Sequence, residues 1–154
     1  MKNLKDIIIE GLKIGSKTKV NMYTCQPKDK NELISIIEER LNKDKNANLN
    51  DIDVSNITNM SYLFYVLDPH NIDISEWDVS NVKNMRNMFL RCDNFNSDLS
   101  NWDVSSVEHM KAMFVGCKNF NCDLSKWDVS NVIDMKSMFL GCDSLKNKPS
   151  WYKK

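Results

Sequence analysis

The sequence predicts an α/β repeat solenoid: four stacked rungs of 25 residues, each a strand plus a short helix, behind a helical cap at the N-terminal end. Two observations carry this. Asp-Val-Ser-Asn, or Asp-Val-Ser-Ser in one copy, begins at Asp53, Asp78, Asp103 and Asp128, an unbroken period of 25 that divides residues 46–145 into Asn46–His70, Asn71–Phe95, Asn96–Phe120 and Asn121–Leu145. Within each copy the apolar spacing switches from the period of a strand to that of a helix. A unit this short cannot bury its apolar face alone, so stacking must do it, and four copies exceed the roughly three such a stack needs.

The chain is organised as residues 1–45, a capping region, then the repeats at 46–145, then a tail at 146–154. Residues 1–25 are ambiguous: Leu4, Ile7, Ile8 and Leu12 fit a helix, Ile7–Ile9 also fits a strand, and Gly11 and Gly15 weaken the helix. Asp29-Lys-Asn-Glu32 is a capping box, and Leu33, Ile34, Ile37 and Leu41 behind it form one apolar face, which predicts a helix at about 30–43 sealing the first rung. At the other end Trp151 and Tyr152 are expected to fold over the last rung, with lysines keeping that end soluble.

Counting each copy from its initial Asn, apolar residues recur at positions 4, 7, 9, 12, 15, 18, 19, 22 and 25. In the third copy Trp102 and Val104 alternate with polar residues, as in a strand with one buried face, whereas Val107, Met110, Phe114 and Cys117 fall at helical spacing. The Ser-Asn pair at the switch is a structural device of the kind that starts helices. Trp77, Trp102 and Trp127 at position 7 lie in the apolar phase and read as core rather than a stacking platform, as do the methionines of position 15.

Cys92, Cys117 and Cys142 share position 22 with Leu67, so these thiols are expected to be reduced, buried and small apolar fillers. No Cys-x-x-Cys occurs and His70 and His109 stand apart from any ligand-spaced cluster, so no metal and no cofactor is expected. Asp at position 8 would stack four carboxylates about 4.8 Å apart, so each must accept hydrogen bonds from the Ser and Asn after it or share a cation. The absence of glycine-rich calcium loops favours the first.

Net charge is zero, but the repeats carry 7 Lys and Arg against 14 Asp and Glu, while residues 1–45 carry 10 against 7. An acidic repeat surface disfavours nucleic acid as a partner. The sequence also shows no apolar run long enough for a signal peptide or a membrane span, so as written the chain reads as cytosolic with no membrane partner.

The run Phe-Asn-x-Asp-Leu-Ser-x-Trp-Asp-Val-Ser-Asn-Val-x-x-Met-x-x-Met-Phe-x-x-Cys resembles the 25-residue unit of the BspA-like leucine-rich-repeat surface proteins, and Pro27–Ile57 resembles the stretch that often precedes their first unit. Leu99, Trp102, Val104 and Val107 match the spacing that opens a leucine-rich repeat. The resemblance implies a leucine-rich-repeat-like stack with a parallel sheet along one face. It also implies a surface or adhesion role, while related short copies occur in phage and other mobile elements.

Two versions of a non-enzymatic protein–protein interaction module follow. One is an inhibitor of a host defence protein made by a phage or mobile element. The other is a fragment of a surface adhesin, located at the cell surface. Position 6 varies between neighbours that stay nearly fixed, and its residues Asp51, Glu76, Asn101 and Lys126 are expected to project from the sheet face as the partner-binding column. An enzyme is not expected, because evenly repeated carboxylates lack the differentiated environments that acid–base chemistry needs.

Overall fold

The computed structural model describes residues 23–65, 67 and 69–153, so most of the ambiguous stretch at 1–25 lies outside it. Its one helix among the described residues, α1, spans Lys30–Lys43. The Asp29 side chain accepts the Glu32 N–H at 2.9 Å and the Glu32 carboxylate accepts the Lys28 N–H at 2.8 Å, which fixes where the helix starts. Leu33, Ile37 and Leu41 are buried, and they join one apolar core that continues through the rungs to Phe139.

The rungs are not built as predicted. Among the described residues there is no strand and no helix beyond α1, only isolated parallel bridges such as Asn59↔Asn84, Asn84↔His109 and His109↔Asp134. The expectation of an α/β solenoid with strand-plus-helix rungs is therefore corrected: each rung is a closed circuit of turns.

Where the strand was expected, turns intervene instead. Asp73, Asp98 and Asp123 at position 3 accept the N–H two residues ahead at 3.1, 3.0 and 2.9 Å. Asp53, Asp78, Asp103 and Asp128 at position 8 do the same at 3.0–3.1 Å, and Asn59, Asn84 and Asp134 repeat it at position 14. Each is an Asx turn, which bends the backbone every five or six residues and leaves no run for a strand.

The predicted helix fails for a second reason, visible in where its amide protons go. The N–H groups of Met85, Asn87, Phe89 and Arg91 donate to His109, Lys111, Met113 and Val115 of the next rung at 2.7–3.0 Å. Those of Met88, Leu90 and Cys92 donate three residues back at 3.0–3.3 Å. Half the donors are thus committed between rungs, whereas an α-helix would keep all of them within one. Position 17 is left-handed in every copy, at Tyr62, Asn87, Ala112 and Ser137 (φ 52–57°), which interrupts a helix at its middle.

Side chains staple the stack from inside. Trp77, Trp102, Trp127 and Trp151 each donate the indole N–H to a position-4 carbonyl one rung earlier, at Leu49, Ile74, Leu99 and Leu124, at 2.9–3.0 Å. Cys92, Cys117 and Cys142 donate their thiols to the carbonyls of Phe64, Phe89 and Phe114 at 3.5, 2.9 and 3.0 Å. Phe64, Phe89, Phe114 and Phe139 stack in parallel at 5.1, 5.5 and 5.7 Å. The Asn of the Ser-Asn pair serves the stack too: Asn81 and Asn131 donate to Ser55 and Ser105 of the preceding rung at 2.9 and 2.7 Å.

Candidate functional site

Position 6 sits at a corner, not on a sheet face. Trp77, Trp102 and Trp127 donate backbone N–H bonds to Ile74, Leu99 and Leu124, closing β-turns whose third residues are Glu76, Asn101 and Lys126. All three are exposed. Asp51 is separated from them by its role in the cap: it accepts the Thr24 hydroxyl and pairs with Arg40 at 3.1 Å. Burial pushes the Asp51 carboxyl up, but the bonds from Thr24 and Arg40 outweigh it and hold the group below its ordinary value. The structure thus brings Glu76, Asn101 and Lys126 onto equivalent corners and assigns Asp51 to the junction with α1.

The position-8 carboxylates are engaged within their own rungs. Asp103 accepts both the N–H and the hydroxyl of Ser105, at 3.0 and 2.6 Å, and these bonds hold its carboxyl below the usual range. Ser130 acts in the same way on Asp128. Among the described residues, no group of three or more His, Cys, Asp or Glu is arranged to hold a metal ion.

A second surface was missed in the sequence. Position 16 reads Ser61, Arg86, Lys111 and Lys136, so three of the repeats' seven cations share one column. Lys30 completes it by donating to the Ser61 carbonyl at 3.1 Å. Arg86, Lys111, Ser61, Asn84 and Tyr62 line an open cleft of about 500 Å³. Arg86 reaches two rungs along the stack to Asp134 at 2.7 Å, past His109, and among the described residues the Arg86 Nε and His109 Nδ1 are buried without a hydrogen-bond partner.

Beside the column Tyr62 and Tyr65 meet edge to face at 6.0 Å, both exposed, and Leu140 is 64 % exposed at the position equivalent to Tyr65. The signal available in the sequence was the recurrence of a cation at one register. It was hidden because the whole repeat region is acidic.

No helix among the described residues is long and apolar enough to cross a membrane. A family model described as "Mycoplasma protein of unknown function, DUF285" matches residues 34–152, from within α1 to the tail aromatics. No curated protein and no solved structure matches the chain.

Proposed function

The chain belongs to the DUF285 family, the BspA-like repeat family, and from that premise we propose that it is a non-enzymatic protein-binding module. One observation carries the reading: on a rung whose inward residues and turn-forming Asp residues repeat, the exposed corner changes from Glu76 to Asn101 to Lys126. Fixed positions build the rung, and varied exposed ones offer a partner different chemistry at regular intervals.

The cation column with Tyr62 and Tyr65 supports a second contact face, since tyrosine and arginine concentrate binding energy at interfaces. The inhibitor and adhesin versions of this module differ in partner, a host defence protein or a surface receptor, and rest on the resemblance of the repeat alone.

Affinity capture from the native host, followed by titration calorimetry with the purified captured protein, tests the reading. Glu76→Lys with Lys126→Glu should weaken binding at least about tenfold, or about 1.4 kcal/mol. Stability should stay within about 0.5 kcal/mol, because both sites are exposed. If affinity is unchanged both in this variant and in Lys111→Glu with Lys136→Glu, the outward faces do not bind the partner and the proposal fails.

A further inference from the structure

From position 15 to position 21 the backbone hydrogen bonds between rungs all run forward, whereas those of positions 13 and 24, such as Ile133 to Glu108 and Ser144 to Lys118, run back. N–H groups at positions 15, 17, 19 and 21 donate forward to carbonyls at positions 14, 16, 18 and 20 of the following rung, as Met110, Ala112, Phe114 and Gly116 do to Asp134, Lys136, Met138 and Leu140. Four columns of aligned amide dipoles result, with their acceptor end at the first rung and their donor end at the last. The physics is that of helix termini, where unpaired carbonyls attract cations and unpaired N–H groups attract anions.

The acceptor end follows this rule within the structure: it lies beside α1, and the Lys30 ammonium donates to the Ser61 carbonyl at 3.1 Å. The donor end is different. Among the described residues the N–H groups of Met135, Ser137, Phe139 and Gly141 have no acceptor. The tail covers only part of this end: Trp151 continues the indole ladder over Trp127 at 6.4 Å, and Tyr152 meets the Phe139 ring edge-on at 5.1 Å. A cleft of about 440 Å³ remains, lined by Ile133, Met135, Lys136, Ser137, Tyr152 and Lys153.

We infer that this C-terminal edge is a docking site for an acidic, extended segment of a protein partner. The segment's carbonyls would take the N–H groups of Met135, Ser137 and Gly141, as a further rung would. Its carboxylates would face Lys136 and Lys153, since the acid in this cleft, Asp134, is paired with Arg86. Its apolar side chains would lie on Ile133, 76 % exposed, and Leu140, 64 % exposed. Pairing of this kind adds a chain to an open edge through main-chain bonds, here an edge of turns that presents donors alone. A second copy stacked head to tail fits less well, because Lys30 of α1 already holds the Ser61 carbonyl of its matching edge. Nucleic acid fits less well, because the Asp columns repel phosphate and the exposed apolar residues of this edge are aliphatic.

This inference rests on the binding-module reading but is tested without the natural partner. A blocked octapeptide alternating Asp and Val is titrated into the chain, with amide exchange followed residue by residue by NMR, and a Lys-Val octapeptide serves as control. In the unbound chain the amides of Met135, Ser137 and Gly141 should exchange far faster than those of Met110, Ala112 and Gly116 one rung earlier. The acidic peptide should slow them at least about tenfold and the basic one should not. Lys136→Glu with Lys153→Glu should weaken the acidic peptide at least about fivefold, while Lys43→Glu on the exposed side of α1 should leave it unchanged.

Attraction to the lysines alone would move the affinity without protecting the amides, and that outcome overturns the proposal. So does slow exchange in the unbound chain, or protection by a single-stranded oligonucleotide in place of the peptide. Each of these leaves the binding-module reading standing, because that reading is judged by the captured partner and by the corner and cation-column variants.

Discussion

Replacing Trp102 by alanine should destabilise the protein by about 3–5 kcal/mol, the range for removing a large buried aromatic from a core that relaxes only in part. Trp102 is 4 % exposed, lies 6.5 Å from the Phe89 ring, and sits in a central rung with a neighbour on each side. Its indole N–H donates to the Ile74 carbonyl at 3.0 Å, but that carbonyl also accepts the Trp77 backbone N–H at 3.2 Å. The orphaning penalty is therefore small, and the lost bond accounts for only about 0.5–1.5 kcal/mol of the total.

Two comparisons separate the contributions. Trp102→Phe keeps an aromatic ring but loses the donor and should cost about 1–2 kcal/mol. Trp151→Ala removes a half-buried ring from the end of the same ladder, so its cost should be less than half that of Trp102→Ala. Urea unfolding followed by the remaining tryptophan fluorescence measures all three. For a chain of this size the Trp102→Ala loss corresponds to a fall in Tm of roughly 6–20 °C. A loss below about 1 kcal/mol, or a Trp151→Ala effect as large as that of Trp102→Ala, would refute the ladder as the inner staple of the stack.

Hydrogen bonds from Ser100, Ser105 and Ser130 hold the carboxyls of Asp98, Asp103 and Asp128 below their ordinary value. Their contribution is fully present above the unfolded pKa near 4 and is lost as pH falls through the lower folded values, so the urea midpoint should drop from about pH 4 downward. Asp103→Asn keeps the turn acceptor, as Asn48, Asn59 and Asn84 do in their own turns, but loses the charge, so at pH 7 it should fall between the parent and Asp103→Ala; equal midpoints for the two variants would remove the Asx turns from the account.

Thiol labelling of the native protein should be slowest at Cys117, where burial pushes the thiol far up. It should be slow at Cys142 as well, since burial raises that thiol to about 11 and leaves only about one thiolate in ten thousand at pH 7. Labelling of Cys117 at the rate of the unfolded chain would contradict both its burial and its bond to Phe89.

The sequence by itself determined the period, the register and the inside of each rung. Trp102, Val104, Met110, Phe114 and Cys117 were legible as core because apolar residues recur at one position in every copy, whatever the backbone between them does. The start of α1 was legible for a local reason: Asp29 and Glu32 act within one turn of chain.

The backbone conformation of the rungs was not legible. The spacing Val107, Met110, Phe114 and Cys117 is helical on paper, yet the N–H groups of Met110, Ala112, Phe114 and Gly116 belong to the next rung, and a competition between bonds within and between rungs cannot be read from one copy. The corner column was half legible, since the sequence marks Glu76, Asn101 and Lys126 as variable but cannot show that Asp51 is claimed by Arg40. Only stacking decides which way the inter-rung bonds point. From position 15 to position 21 that direction leaves a row of donors at Met135, Ser137, Phe139 and Gly141, because the N–H groups at these positions in the earlier rungs pair with carbonyls of the rung that follows.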